Sequence, residues 1–490
     1  MTITALEQEL NEIPFNTNAS IGPSTIEKFI ITNAENTKRL EVTGAISEFF
    51  FYESVLSNTI SATVVLIDTG YQSDEKSTGG DKKDDTSLNA LRTRGIIDYL
   101  QLAGGERVDF RIKHSNLRVQ GNGSVLEIPD GMYINRIREL NNNSLKDMFA
   151  LDLVPKEYIS NEKSRVVKRY DGLISDSVSD ILRDASILGT QLPVITNKTA
   201  NSYNFIGNDR KPFYICTWLA SKSVPQATDA NGKPIQGGGA GYLFYQTRES
   251  FQFRSIDRLL SPTPKDSTTG ESLKKFIYNN TGKRPGDDEA FNILNYTFTR
   301  TIDVAKELNL GTFNNRSIFF DPFSMSYKVT LFNTDDQILN YLGRERNIPR
   351  VENVINSPTR LMSHVLDTGV MPSGVDSNQQ LTKWKEDIVK TNYEAEDIMV
   401  QSIMRYNQLF SVQLNITIPG DFSIFAGDRI VCRFVDLTQS DDTNNSISSI
   451  YMVSSVCHKV NSQDTFTSLD LVADTRGTVA LRLAGDSFLN

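Results

Sequence analysis

Basic charge, cysteine, histidine and long apolar runs are all scarce in this sequence of 490 residues. Its 51 lysines and arginines stand against 60 aspartates and glutamates, a formal net charge of −9. That balance argues against a protein that wraps nucleic acid, because such binding depends on Lys and Arg neutralising phosphates. The three cysteines, Cys216, Cys432 and Cys457, are odd in number and form no CxxC pair. A disulfide framework is therefore not expected, and folding in a reducing compartment is. Cys432 and Cys457 fall on expected strands of one β block and read as small core residues.

The three histidines, His114, His364 and His458, are scattered and belong to no HExxH motif. His458 follows Cys457, but neighbours on a strand face opposite ways, so a shared metal is not expected. GxSxG, Walker and zinc-ribbon patterns are absent from the sequence. The glycine-rich run Gly237 to Gly241 leads into a strand and lacks the helix N-terminus that phosphate binding requires. The carboxylate pairs Asp335-Asp336 and Asp441-Asp442 have no sequence context for glycosidase work, which needs two carboxyls across a cleft. The first pair also suits a helix N-terminus. The DKKDD run lies in a polar loop without the glycine and glutamate of an EF-hand. Catalytic, cofactor-binding and metal-binding residues are accordingly expected to be none, and the chain is expected not to be an enzyme. No apolar run approaches the ~18 residues of a membrane span. The first residues, MTITALEQELNEIPFN, carry acids where a signal peptide carries lysines. The expectation is a soluble chain with no membrane anchor, made in the cytoplasm.

What is plentiful is two-residue alternation. Phe410, Val412, Leu414, Ile416 and Ile418 alternate with polar residues and predict a half-buried strand ended by Pro419-Gly420. Strands over Arg429 to Val435, Ile450 to Val460 and Phe466 to Ala473 follow, separated by turn residues. Near the start, Lys28 to Ile31 and Leu40 to Ile46 predict strands across an Asn33–Asn36 turn. Phe49 to Gly70 alternates strongly, and Val108 to Ile112, Met132 to Leu140 and Leu145 to Val154 add further strands. Between these β blocks, Ser175 or Ser177 is expected to cap a helix striped by Val178, Ile181, Leu182, Ala185 and Leu188. Pro212 suits the first turn of a second helix running to about Ser223. Tyr242 to Thr247 and Gln252 to Ile256 predict a hairpin. Leu273 to Tyr278 reads as a short helix, Thr334 with Gln337 as a capping box, and Lys383 to Tyr406 as mostly helical.

These readings divide the chain into an N-terminal arm, 1–25; a first β-barrel domain with an inserted helix, 26–160; and a middle α/β domain, 161–345. A helical and loop connection, 346–400, a second β-barrel, 401–476, and a C-terminal tail, 477–490, complete it. The middle block holds helices 176–188 and 212–223 and the hairpin 242–256.

The succession LNITIPGDFSIFAGDRIVCRF … YMVSSVCHKVNSQDTFTSLDLVAD resembles the last barrel of the baseplate hub proteins of contractile-tailed bacteriophages, the tail-tube-like barrel family. Related barrels occur in the hubs of other contractile injection machines. The phrases NFIGNDRKPFYICTWLASKSVP and AGYLFYQTRESFQFRSIDRLL are similar to the same family, as is Phe49–Gly70. The match spans most of the chain and leaves Tyr71–Ser87, Ser261–Glu289 and Asn347–Gln380 as loops or insertions.

The resemblance implies an α+β, mainly β fold with two tail-tube-like antiparallel β-barrel domains and helical and α/β insertions between them. It further implies a homotrimer at the centre of the tail baseplate of a virion, assembled in the host cytoplasm. Its partners would be the sixfold tail tube protein ring, the threefold spike or puncturing protein and the surrounding baseplate wedge proteins. Genomic DNA would pass through the lumen during ejection without specific binding, and no cofactor is implied. Two other readings stand beside this one: a tail-associated peptidoglycan hydrolase, and the hub of another contractile injection system.

Overall fold

The computed structural model describes residues 23–68, 95–114, 125–143, 146–228, 234–236, 238–260, 273–278, 292–300, 304–312, 314–333, 358, 360–370, 376–387, 392, 395–434 and 449–474. The expected capping box at Thr334, the DKKDD loop and both carboxylate pairs lie outside these residues.

The first part of the chain forms β1 (Ser24–Thr32), β2 (Arg39–Glu41), β3 (Ile46–Ser54), β4 (Ser61–Asp68), β5 (Arg107–His114), β6 (Val125–Glu127), β7 (Met132–Asn143) and β8 (Lys146–Val154). Alternation sets which side chains turn inward. Phe49 and Phe51 of β3, Val64 and Leu66 of β4, and Phe110 and Ile112 of β5 are buried in one core. Phe49 sits 5.0 Å from Phe110 and 6.2 Å edge-on from Phe29, measured between ring centroids. The expected Asn33–Asn36 turn is present, with Asn33 Oδ1 accepting the N–H groups of Thr37 and Lys38 at 2.9 Å. The Phe49–Gly70 stretch is two strands, β3 and β4, rather than one.

The middle region carries the short strands β9 (Arg169–Tyr170), β10 (Val194–Thr196), β11 (Phe205–Ile206), β12 (Gln226–Thr228) and β13 (Pro234–Gln236). The expected hairpin follows as β14 (Tyr242–Gln246) and β15 (Phe251–Ser255). Helix Pro212–Ala220 starts on Pro212 as predicted. Helix Ile174–Arg183 starts earlier than either serine, with Leu173 at the cap position and no side-chain cap bond. Its buried first-turn donor is met from elsewhere, since Ser175 N–H donates to Thr199 Oγ1 at 3.2 Å.

Next come β16 (Lys274–Tyr278), β17 (Asn295–Arg300), β18 (Asn314–Asp321), β19 (Ser326–Asn333) and β20 (Leu361–Val365), then β21 (Val412–Pro419), β22 (Arg429–Phe434), β23 (Ser449–Asn461) and β24 (Thr465–Ala473). The four expected strands of the last block are all present. Leu273 to Tyr278 is not helical: β16 runs parallel to β22, with Lys274 opposite Ile430 and Phe276 fully buried. Burying Phe276 and Leu273 in the last block's core outweighs local helix preference. β17 pairs antiparallel with β21, so two strands drawn in the 161–345 block belong by pairing to the last sheet. The 346–400 connection contains β20, parallel to β18, as well as helix Ser377–Asp387. Helix Ala395–Gln408 then delivers the chain to β21.

The fold is mainly antiparallel β, as expected, and its two β halves share one sheet. The strand order is β17-β21-β24-β23-β3-β4-β8-β7-β5-β1-β2, with β16, β22 and β6 attached at the side. This path stays open at both ends among the described residues. The halves meet where Ser455 to Asn461 of β23 pair with Ser54 to Glu48 of β3. The same edge of β23 pairs with β22 over Ser449 to Met452, and a bulge between Val453 and Ser455 separates the two stretches. Truncating Phe49 to alanine should cost about 3–5 kcal/mol, the usual cost for a buried phenylalanine, as read by urea denaturation. A loss below about 1 kcal/mol would show that this aromatic cluster does not anchor the first core.

Candidate functional site at the junction of the two sheet halves

Three buried ionic clusters hold the blocks together, and the first is built on β3. Phe49, Phe51 and Glu53 occupy one face of that strand, so alternation carries a glutamate into the interior. Glu53 Oε1 accepts the Arg248 N–H at 2.7 Å, from the turn between β14 and β15. Its Oε2 accepts the Ala426 N–H at 3.2 Å, from the turn before β22. One carboxylate thus joins the first half, the middle block and the last half. The Arg248 guanidinium lies 5.0 Å from the Phe425 ring centroid and donates to the Val125 carbonyl at 3.3 Å. Burial pushes Glu53 up to about 7 from 4.5, against the pull of its Arg248 and Ala426 partners.

The second cluster centres on Arg405 of helix Ala395–Gln408, which is fully buried. Its guanidinium pairs with Asp257 at 2.6 Å and with Asp474, at the end of β24, at 3.1 Å. The other oxygen of Asp257 accepts the Gly239 N–H at 2.5 Å, and Gln401 Oε1 accepts the Ala240 N–H at 3.3 Å. The glycine-rich run is therefore a clasp on the acid and the helix. A Cβ at Gly238 would come within 2.6 Å of Asp257 Oδ2, which explains the glycine there.

The third cluster lies under the Pro419-Gly420 turn. Asp421 is buried, pairs with Lys274 at 3.2 Å, and donates its N–H to Thr467 Oγ1 at 3.0 Å. That hydroxyl also bonds His458 Nδ1 at 3.0 Å. The His458 ring meets Phe422 edge-on at 5.1 Å and stacks on Phe51 at 6.3 Å. Burial pushes His458 down to about 3, so it is neutral at physiological pH. Its role is that of a hydrogen-bonded core residue.

The remaining sequence candidates are dispersed. Cys216, Cys432 and Cys457 are free thiols, with Cys432 opposite Ser449 and Cys457 opposite Ser468 and Tyr52. Burial raises all three thiols, Cys457 to about 11. His364 lies 5.4 Å from Phe319 and His114 6.1 Å from Phe422, between ring centroids. Among the described residues no group of three His, Cys, Asp or Glu side chains is placed to hold a metal. Glu53 titrates near neutrality, as a general acid does, yet both its oxygens already bind backbone N–H groups. Chemically the arrangement ties chain segments together. Glu53, Arg248, Asp257, Arg405 and Asp474 escaped the sequence reading. The one signal for them was register: Glu53 continues the inward face of Phe49 and Phe51.

No family model matches the chain, and no curated protein sequence does. The solved structures to which the chain is similar include two tail proteins and a secretion-system component. The tail protein from Neisseria meningitidis MC58 is 11% identical with a TM-score of 0.44, covering 94% of this chain and 99% of its own. The 43 kDa tail protein of prophage MuSo2 from Shewanella oneidensis is 8% identical with a TM-score of 0.44, covering 91% and 98%. An E. coli component of the type VI secretion system, itself described as similar to the T4 bacteriophage tail proteins gp27 and gp5, is 8% identical with a TM-score of 0.35. That match covers 92% of this chain and 76% of its own. No helix among the described residues is long and apolar enough to cross a membrane.

The two titrating groups at the junction have opposite pH signatures. Glu53 has a raised folded pKa, so its contribution to stability is full below about pH 4.5 and is lost as pH rises through about 7. His458 has a lowered one, so its contribution is full above pH 6.5 and is lost as pH falls toward about 3. Urea denaturation of the native chain and a Glu53→Gln variant separates them. The stability gap, native minus variant, should be larger at pH 4.5 than at pH 8 by up to roughly 3 kcal/mol. Parallel pH curves would show that Glu53 is not held in this environment.

Proposed function

We propose that this chain is a structural part of a contractile tail, its baseplate hub, with three copies around the tail axis joining the tube to the spike. The observation that carries the reading is the pairing of two β halves within one chain through β3 and β23. Three chains with two halves each present six β units to a sixfold tube ring while keeping a threefold face for the spike. In this reading 26–160 is one unit, and 401–476 together with the paired strands β16 and β17 is the other. Two of the hub phrases in the sequence, Ala240–Leu260 and Leu414–Asp474, carry Arg248, Asp257, Asp421, His458, Thr467 and Asp474 of the three ionic clusters.

A connector between tube and spike must keep its halves in fixed orientation under load. Seven paired positions between β23 and β3 and the buried Glu53, Arg405 and Asp421 clusters supply that rigidity. The net charge of −9 suits a conduit for DNA, because an acidic chain avoids the counterion-release attraction that basic grooves exploit. The engagement of Glu53 by two backbone donors favours this structural reading over a peptidoglycan hydrolase.

Cryo-electron microscopy of the parent particle tests the proposal. Three copies are expected around the tail axis, between the lowest tube ring and the spike. Copies in the sheath or fibres, or six copies in a ring, would contradict it.

A further inference from the structure

The sheet β19-β18-β20 meets the middle block through a face with few apolar side chains. By register two rows lie on that face: Thr330, Ser317 and Met362, then Lys328, Phe319 and His364. Phe319 enters the core of the middle block, and Leu366 packs against the same core. Thr330 Oγ1 and His364 Nε2 are buried without a hydrogen-bond partner among the described residues. From Pro322 to Val329 every residue is exposed, so the far end of the sheet stands clear of the body. Just past β20, Asp367 accepts the Tyr203 hydroxyl and adds a polar tie.

His364 sits in the middle of this contact among cations. Its ring lies 5.4 Å from that of Phe319, between centroids. Arg360, just before β20, falls on the same face by alternation and donates to the Leu310 carbonyl at 2.9 Å. Just past helix Pro212–Ala220, the Lys222 ammonium lies 5.0 Å from the Trp218 ring and 5.2 Å from the Tyr203 ring. Lys328 of β19 shares the row. The acids nearby are engaged elsewhere. Asp367 holds Tyr203 and the Gly369 N–H at 2.8 Å, while Asp321 holds the Phe323 N–H at 2.9 Å and the Ser324 hydroxyl at 2.7 Å. Burial first, then the charges of Arg360 and Lys222, hold the His364 imidazole below its usual range.

We infer that acid releases this sheet from the middle block, with His364 as the trigger. A proton on His364 puts a new positive charge beside Arg360 and Lys222. It also turns both ring nitrogens into donors, and Nε2 has no acceptor to meet. Release lets water solvate the imidazolium and removes both penalties. The sign follows from linkage: His364 takes up a proton less readily when docked than when hydrated. The docked state is therefore fully favoured above about pH 6.5 and loses ground as pH falls below it. Phe319 and Met362 are the buried apolar anchors in the two rows, so release is a local event that leaves both β cores closed. The inference does not depend on the hub reading.

Amide hydrogen exchange on the full chain at pH 8 and pH 5, corrected for the intrinsic pH dependence of exchange, tests it. Protection of residues 314–333 and 361–365, taken relative to β4 and β8, is expected to fall at least about threefold at pH 5. A His364→Phe variant keeps a ring against Phe319 but cannot titrate, and should lose that fall. Unchanged relative protection in the native chain overturns the inference, as does a His364→Phe chain with the native pH dependence. Should that variant fail to fold, Lys222→Gln decides. With one neighbouring cation gone, a smaller fall supports the trigger and an unchanged fall overturns it.

Discussion

The structure depends on one strand having two partners along a single edge. β23 is 13 residues long, and its bulge near Ser454 turns it so that β22 takes its first part and β3 its last. Val456 packs into the core of the last half and Val460 into that of the first. The bulge adds twist where the partner along that edge changes from β22 to β3. Each ladder bond contributes only about 1 kcal/mol net. The pairing matters because it fixes which apolar faces meet.

The ionic clusters fix orientation more than they add stability. A buried arginine with two aspartates loses much of its Coulomb attraction to desolvation, yet losing one partner strands a charge in the interior. Arg405 with Asp257 and Asp474 therefore acts as a registry device: only one seating of helix Ala395–Gln408 satisfies all three groups. Glu53 does the same between two turns and a strand.

Local pattern made the strands legible in the sequence. Val412 to Ile418 alternates strictly, and Pro419-Gly420 ends it where Gly420 must approach Thr465 and His114 too closely for any Cβ. Pro212 marked its helix for an equally local reason. Partnership between distant segments was not legible. Alternation says which face of β3 is buried but not that its edge meets β23, some 400 residues away. β16 was misread because its strand state comes from lying beside β22. The serine cap failed because Thr199, distant in sequence, already satisfies the helix start. The ionic clusters were hidden for the same reason, apart from the register of Glu53.

Amide hydrogen exchange, followed by mass spectrometry on the intact chain, tests most directly whether the two halves form one body through β3 and β23. The account predicts that residues 46–54 and 455–461 exchange as slowly as the central strands β4, β8, β21 and β24, all opening in one global event. Faster exchange confined to β3 and the end of β23, with both cores still protected, would show two independent halves and contradict it.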